Sequence, residues 1–465
     1  MITTLGEKFT DIFKRNMPDA FVFALVLTLV TALISFLWIG ATPLKIIQSW
    51  YGGFWTLLEF GMQMVLLIIT GYSIALSPLV EKSIDKLVHY IKTPRQVYYF
   101  VVLIGFLLSM ISWGWVVITA VLARQLAIRV KDINYPYLIA CVYFSGISWV
   151  TGLSSSIPLL LNTEKNYMIE AGILSDTIPT SYTLGSILNI SMIIFMLVVG
   201  PILMLLLVPK NTKGKELNDL LDASEKSTQN DIKEEALSLK LPFKAISDQL
   251  NNSMLLQYLV ALMGLTYIIH HFSTKGLDLN LNIMIFVFII MGLILHKTPM
   301  RYSISMKRAS SNISGILFQF PFYAGIMGIM TFTGLGTELG KLIASVATAD
   351  TYPFFAYLLG GIVNFAIPSG GGEYAVIGPS VIEAVNNIGA GLAPAELTAM
   401  NARASLAIAY GEGLTNLLQP FYLLLLMPVM AKGIKIQARD IMGYLVIPFL
   451  LYFVIQIMMV LWIPL

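Results

Sequence analysis

Charged residues and histidines divide the chain into eleven long stretches that contain neither: 21–39, 60–77, 98–123, 135–162, 177–209, 251–269, 279–295, 309–336, 351–372, 413–431 and 441–465. Stretches this long and apolar predict membrane-spanning helices, because about 20 helical residues cross a hydrocarbon core of about 30 Å. Two are too long for one straight crossing. As continuous helices, 177–209 reaches roughly 50 Å and 135–162 roughly 42 Å. Each must break, tilt steeply or fold back. The expected fold is an all-α polytopic membrane protein with two structural repeats, re-entrant hairpins, discontinuous helices and roughly 10–12 transmembrane segments.

Two stretches, one in each half, carry a helix-breaking patch at matching places. Tyr135-Pro136 begins a run that stops at Thr151-Gly152-Leu153-Ser154-Ser155-Ser156, and Tyr352-Pro353 begins one that stops at Pro368-Ser369-Gly370-Gly371-Gly372-Glu373. Each start lies 16 residues before its break. Irregular backbone at membrane depth is tolerated only where protein buries it or it lines a polar cavity. Paired interruptions in two halves are the best sequence pointer to a carrier's binding site.

The halves echo each other beyond the breaks. Lys92-Thr93-Pro94 precedes the first Tyr-Pro and Lys297-Thr298-Pro299 the second; Gly185 with Asn189 follows the first break and Gly413 with Asn416 the second. Four matches in one order favour a structural repeat. The residues divide as 1–209, a first membrane repeat; 210–250, a charged linker; and 251–465, a second membrane repeat. Residues 210–244 hold seven basic and seven acidic side chains, the composition of a solvated, here cytoplasmic, linker. The positive-inside rule places the basic loops with it. Simple counting of spans then strands Arg124, Arg129 and Lys131 on the opposite side. Either a counted span is re-entrant, or an uncounted one exists, for instance around residues 43–58.

Composition narrows the class. Of 465 residues 57% are hydrophobic and 12% charged, half the charged share of a soluble domain. A net charge of +3 is too small and dispersed for nucleic-acid binding. The single cysteine, Cys141, rules out a disulfide framework and a cysteine metal cluster. The first apolar run is too long for a signal peptide's core and reads as a span. The four histidines lack ligand spacing to one another. No phosphate loop, zincin motif or nucleophile elbow occurs, so an ATP-driven pump and a membrane-embedded hydrolase are disfavoured and no enzyme is expected.

The breaks supply the candidate chemistry. Ser154, Ser155 and Ser156 offer hydroxyls at a break, suited to a carboxylate or a coupling cation; serines lining a helix contact are the bland alternative. Ser369, Gly370, Gly371 and Gly372 interrupt a helix and let the backbone approach a ligand closely; an aqueous loop ending at Glu373 is the alternative. Asn189 and Asn416, each near a glycine, are candidate cation ligands, or interhelical hydrogen bonds. Glu412, between two glycines, could carry a proton or complete a cation site. Arg403 upstream reads as interfacial. The aromatic runs Trp113-Gly114-Trp115 and Phe318–Tyr323 fit an apolar pocket wall or ordinary packing.

Longer strings carry a resemblance. Phe54-Trp55, Phe60–Met64, Tyr135-Pro136 with Leu138–Cys141, Leu295–Met300, Gln319–Gly325, Asn364-Phe365-Ala366 with Pro368–Gly372, Ala407–Glu412, Gln419-Pro420-Phe421 and Asp440–Tyr444 resemble the short-chain fatty acid (acetoacetate/butyrate) transporter family, within the ion-transporter superfamily of secondary carriers. The resemblance runs nearly end to end and implies uptake of short monocarboxylates through a two-repeat scaffold in the cell membrane. The expected mechanism is symport with H+ or Na+ and no other cofactor. The tips Ser154–Ser156 and Ser369–Gly372 would hold the carboxylate near the midplane, with Asn189, Asn416 and Glu412 serving the cation. Partners would be the substrate and the lipid bilayer, with a homodimer left open. A dicarboxylate or other organic-anion carrier of the same superfamily is the nearest rival. A sodium/proton antiporter would need a midplane Asp pair, which the apolar stretches lack; a sensor would need a soluble domain, which the linker is too short to form.

Overall fold

The computed structural model describes residues 20–465 apart from 57, 112, 154, 163–165, 171, 211, 213, 222–231, 244, 277–280, 311, 312 and 369. Two candidate site residues, Ser154 and Ser369, therefore lie outside the described residues. The described residues are helical, with one isolated bridge, Leu221 to Ile434, and no strand.

The first half opens with α1 (Ala20–Leu37), α2 (Pro43–Thr56), α3 (Leu58–Ala75) and α4 (Pro78–Tyr90). It continues with α5 (Pro94–Ile111), α6 (Val116–Arg129), α7 (Tyr135–Ser145), α8 (Ser156–Leu161), α9 (Tyr167–Glu170) and α10 (Ile187–Leu206). The linker forms α11 (Leu217–Leu220), α12 (Ile232–Ser238) and α13 (Ile246–Asn251). The second half holds α14 (Met254–Lys275), α15 (Leu281–His296), α16 (Pro299–Ser310), α17 (Ser314–Phe332) and α18 (Leu335–Val346). It ends with α19 (Tyr352–Val363), α20 (Gly370–Ile388), α21 (Pro394–Thr415), α22 (Leu423–Met430) and α23 (Val446–Trp462). Among the described residues, five helical segments are long and apolar enough to cross a bilayer alone: Pro94–Ile111, Tyr135–Leu161, Ile187–Leu206, Met254–Lys275 and Met442–Trp462. Shorter apolar helices add to them; residues 43–56, one place suggested for an uncounted span, form the 14-residue α2, which belongs to neither set.

Both Tyr-Pro motifs start helices, because proline costs nothing where the first-turn N–H would be unpaired. Asn134 caps α7 by accepting from the Tyr137 N–H at 3.1 Å, with Pro136 in the first turn. Pro353 does the same for α19. Ser186 caps α10, accepting from the Asn189 N–H at 3.2 Å.

The stretch 98–123 is not one span. Its helices α5 and α6 double back around a short 3-10 turn, Trp113–Trp115. Asn134, a few residues beyond α6, donates its N–H to the Tyr98 hydroxyl at the start of α5. Arg124 thereby returns to the end where α5 began, beside the linker: the Tyr135 N–H donates to the Lys215 carbonyl. The basic residues that counting left stranded lie with the other basic loops. Arg124 also donates to the carbonyls of Val429 (3.2 Å), Met430 (2.8 Å) and Lys432 (2.6 Å), closing the C-terminal end of α22, where a cation suits the helix dipole. Arg124→Ala should cost roughly 1.5–3 kcal/mol, the worth of hydrogen bonds to a charged group. It reads as a lower melting temperature in detergent. Arg124→Lys should recover less than half, since one ammonium cannot span three carbonyls as a guanidinium does.

At the second-half break the chain also doubles back. α19 runs along α21 with Gly360 against Ile408 and Asn364 beside Thr415; α20 then returns, with the Tyr374 hydroxyl on Ser405 and Asn401 on Asn386. α19 and α21 touch backbone to backbone. A Cβ on Gly360 would lie 2.4 Å from the Ile408 carbonyl oxygen, and one on Gly411 would lie 2.0 Å from that of Tyr357. Small residues that permit such close approach are how helices bind in a membrane. At the first-half break, α7 runs into a 3-10 turn (Gly146–Thr151), the chain kinks, and α8 carries on to pack against α20 and α21 of the other half.

Around this centre, α1, α2 and α17 pack together through Phe21, Trp50, Phe54, Phe318 and Phe322. Phe318 and Phe322 of the second aromatic run thus serve packing here, whereas Tyr323 is buried with its ring 4.8 Å from that of Phe421. α3, α15 and α16 form another group, joined where the His296 ring meets the Ser73 carbonyl at 2.8 Å. The linker is docked at both ends rather than wholly solvated. Leu217 is buried against α6, while Ile232 and Ala236 pack on Ile304 of α16 and Glu235 pairs with Arg308.

Candidate functional site

The three glycines expected to break a helix instead begin one. The break is upstream, at residues 364–368, and Gly370–Gly372 form the first turn of α20, with Glu373 in that turn. A carboxylate there is favoured by the helix dipole. The second interruption, at 416–422, separates α21 from α22, leaving Glu412 in the last turn of α21.

Asn364 joins these two interruptions. Its amide nitrogen lies 3.0 Å from the Glu412 carbonyl, 2.9 Å from the Thr415 hydroxyl and 2.9 Å from the Asn416 Oδ1. Gln419 donates to the Asn364 carbonyl (3.1 Å) and to the Asn416 Oδ1 (2.9 Å). Tyr422 donates its hydroxyl to the Pro368 carbonyl at 3.0 Å. The first half reaches in through Tyr143, whose hydroxyl meets the carbonyls of Asn416 (2.6 Å) and Gln419 (2.9 Å). Backbone groups freed by the breaks are thus satisfied by side chains, which irregular structure at membrane depth demands.

The first-half tip meets this lattice at Gly370. The point where a Cβ on Gly370 would sit is 2.9 Å from the Trp149 ring, 3.0 Å from the Ser156 Oγ and 3.1 Å from the Glu412 Oε2. Gly371 approaches Ser156 more loosely, at 3.8 Å from Cβ position to Cβ. Glu373 is 0% and Glu412 1% exposed, and none of their four carboxyl oxygens has a hydrogen-bond partner among the described residues. The Asn416 side chain approaches the Glu412 carboxyl and interacts with it. Glu373 and Glu412 lie close enough to feel each other's charge. The Ser156 hydroxyl, the Asn364 Oδ1 and the Gln419 Oε1 are likewise buried without a partner. A small cavity adjoins, lined by Trp113, Tyr143, Trp149, Asn416 and Tyr422 among others, with about 20 Å3 of room for the centre of a water-sized sphere. That is space for about one water, so a ligand of several carbons enters only if the walls part.

The expected site residues separate into two groups. Ser156, Gly370, Gly371, Gly372, Glu412 and Asn416 come together. Ser155 faces inward but closes its own turn, donating to the Val150 carbonyl at 2.7 Å. Asn189 is a brace: its amide donates to the carbonyls of Thr151 (3.0 Å) and Leu184 (2.9 Å), and its Oδ1 accepts from the Tyr410 hydroxyl at 2.9 Å. Arg403, two and a half turns from Glu412, donates to the Val460 carbonyl at 2.8 Å and so ties α21 to α23. Residues not singled out beforehand are Asn364, Tyr143, Trp149, Gln419 and Tyr422; only Asn364 and Gln419, polar residues inside apolar stretches, carried a signal. No cluster of three His, Cys, Asp or Glu suited to a metal occurs among the described residues.

Two solved structures cover nearly the whole chain at low similarity: MtrF of Neisseria gonorrhoeae, described as an antimetabolite efflux pump (13% identity, 98% of this chain and 97% of that one, TM-score 0.43), and the YdaH transporter of Alcanivorax borkumensis (16% identity, 96% and 98%, TM-score 0.44). Sequence relatives are far closer. The chain is 35% identical over 96% of both lengths to a protein of Escherichia coli (strain K12) named as a candidate short-chain fatty acid transporter. It is 32% identical, again over 96% of both, to one of the same name from Haemophilus influenzae. The family model described as short chain fatty acid transporter matches residues 1–463. A match of that extent makes the protein a carrier rather than an enzyme, and the chain belongs to the short-chain fatty acid transporter family.

Proposed function

We propose that the protein takes up short-chain fatty acids, butyrate and acetoacetate among them, by symport with a monovalent cation and alternating access. The observation that carries this reading is the meeting of both halves at Gly370, where two interrupted helices bring together two buried carboxyl groups without a hydrogen-bond partner among the described residues. A substrate carboxylate is served by the N-terminal turn of α20, Gly370–Gly372, where helix N–H groups favour an anion, and by Ser156 from the other half. Once the walls part, a short acyl tail would lie against the aromatic lining of Trp113, Trp149 and Tyr422. Among the described residues the site shows no second positive anchor, and Arg403 donates to the Val460 carbonyl. One carboxylate therefore fits better than two, and the dicarboxylate reading is the weaker.

Coupling follows from the energetics. Moving one carboxylate inward against an inside-negative potential costs roughly 2.3 kcal/mol per 100 mV, which one co-transported cation cancels. The protein would sit in the cell membrane as a multi-pass carrier with its linker in the cytoplasm, as the basic loops favour. Labelled butyrate should accumulate in proteoliposomes when a sodium or a pH gradient is imposed separately, and unlabelled acetoacetate should compete. Accumulation of succinate but not butyrate would replace this reading with the dicarboxylate one. No uptake of either by folded protein would end both.

A further inference from the structure

We propose, resting on the symport reading above, that Glu373 and Glu412 together form the coupling-cation site, one carboxyl from each interrupted helix, with the Ser156 hydroxyl completing it from the first half. Both side chains are essentially sealed from solvent, and each has both oxygens unpartnered. An isolated buried carboxylate is costly unless it is neutralised or paired. Further oxygens nearby are also uncommitted: the Ser156 Oγ, the Asn364 Oδ1 and the Gln419 Oε1 have no partner among the described residues. Carboxyl, hydroxyl and amide oxygens suit a hard cation.

The helix ends agree. Glu412 stands in the last turn of α21, where the dipole opposes a negative charge and favours a positive one. Glu373 stands in the first turn of α20, where the dipole supports its charge. A cation between them complements both ends. Gly370 leaves the space: its missing Cβ would occupy the point that Ser156 and Glu412 both face. Asn189 and Asn416 are thereby reassigned from ligands to braces, since the Asn189 amide is engaged by three partners and the Asn416 Oδ1 already accepts from Asn364 and Gln419. Because the ligands come from both halves, the cation would fasten the first-half tip to the second-half hairpin, linking its occupancy to the conformational change.

The test needs no substrate. Melting of the purified full-length protein in detergent is followed as NaCl replaces choline chloride at constant ionic strength, and separately as pH is lowered. Wild type should show a saturable rise in melting temperature with one of the two cations, naming sodium or the proton. Glu373→Gln and Glu412→Gln, which keep shape but remove the charge, should each lose that rise while still melting cooperatively. An unmoved wild type, or variants that keep the full rise, would overturn the site. If either variant fails to fold, Ser156→Ala is the second measure: a weaker apparent cation affinity by about tenfold is expected, and an unchanged affinity overturns the site. The symport reading fails on different data: a wild type with a cation-dependent rise lost in both variants, yet with no butyrate accumulation, keeps the cation site and loses the substrate.

Discussion

Gly370→Val should lower butyrate uptake by roughly 100-fold or more while leaving the protein in the membrane at near-normal amounts. A Cβ at this position meets Trp149, Ser156 and Glu412 at 2.9, 3.0 and 3.1 Å. Those atoms belong to three separate segments, and Trp149 is itself buried, so none can withdraw without shifting its own element. Overpacking of this kind costs about 1–3 kcal/mol, and a tenfold change corresponds to about 1.4 kcal/mol. The effect on transport exceeds that on stability because the added methyls fill the space where both halves converge. Gly371→Ala is the control. Its Cβ would meet Ser156 at ordinary contact distance and the N–H it offers is kept, so its loss of uptake should be at least tenfold smaller than that of Gly370→Val. Equal uptake by Gly370→Val and wild type, measured in the same vesicles, would move the site elsewhere.

Asn364→Ala should produce the second large effect, on stability and transport together. It removes the donor facing the Glu412 carbonyl, the Thr415 hydroxyl and the Asn416 Oδ1. These lie in a buried setting where each orphaned group costs about 1–3 kcal/mol. A loss of roughly 3 kcal/mol is expected, read as a clear drop in melting temperature, with uptake reduced at least tenfold. Asn364→Asp should do no better despite its shape, because it supplies no amide donor and adds another buried acid near Glu412. An unaltered melting temperature in Asn364→Ala would show that the two interruptions hold their geometry without it.

The large outlines were legible because they depend on local physics. Stretches without charge marked the membrane helices, Tyr-Pro marked the starts of α7 and α19, and over-long stretches marked the interruptions. What escaped depends on pairing across long separations. Tyr143 secures Asn416 from 273 residues away, and no local pattern announces that. The hairpin of α5 and α6 was hidden because its turn, Trp113–Trp115, is as apolar as the helices it joins. At Glu373 a binding tip and the edge of an aqueous loop stood as alternatives, since an acid after three glycines reads alike whether water or protein surrounds it. The glycines suggested a gap, yet they open α20: glycine weakens a helix interior but tolerates a first turn. At the site, Gly370–Gly372, Ser156, Glu412 and Asn416 were visible as unusual residues in apolar surroundings. Their sorting into ligands and braces was not, because it is decided by which oxygens already have donors.

The backbone contact between α19 and α21 at Gly360 and Gly411 restricts how the molecule can rearrange. Two helices seated carbonyl to Cα have no side-chain layer to shear through, so the hairpin and α21 share one set of rigid-body coordinates. Freedom remains at the seam where Trp149, Val150 and Ser156 of the first half rest on Gly370 and Gly413. That seam is a side-chain surface, so one segment can shift across the other as a unit. Under the alternating-access proposal, access to the centre would be gained by sliding one half's interrupted segment across the other, with the hairpin carried as cargo of α21 and not swinging as an independent flap.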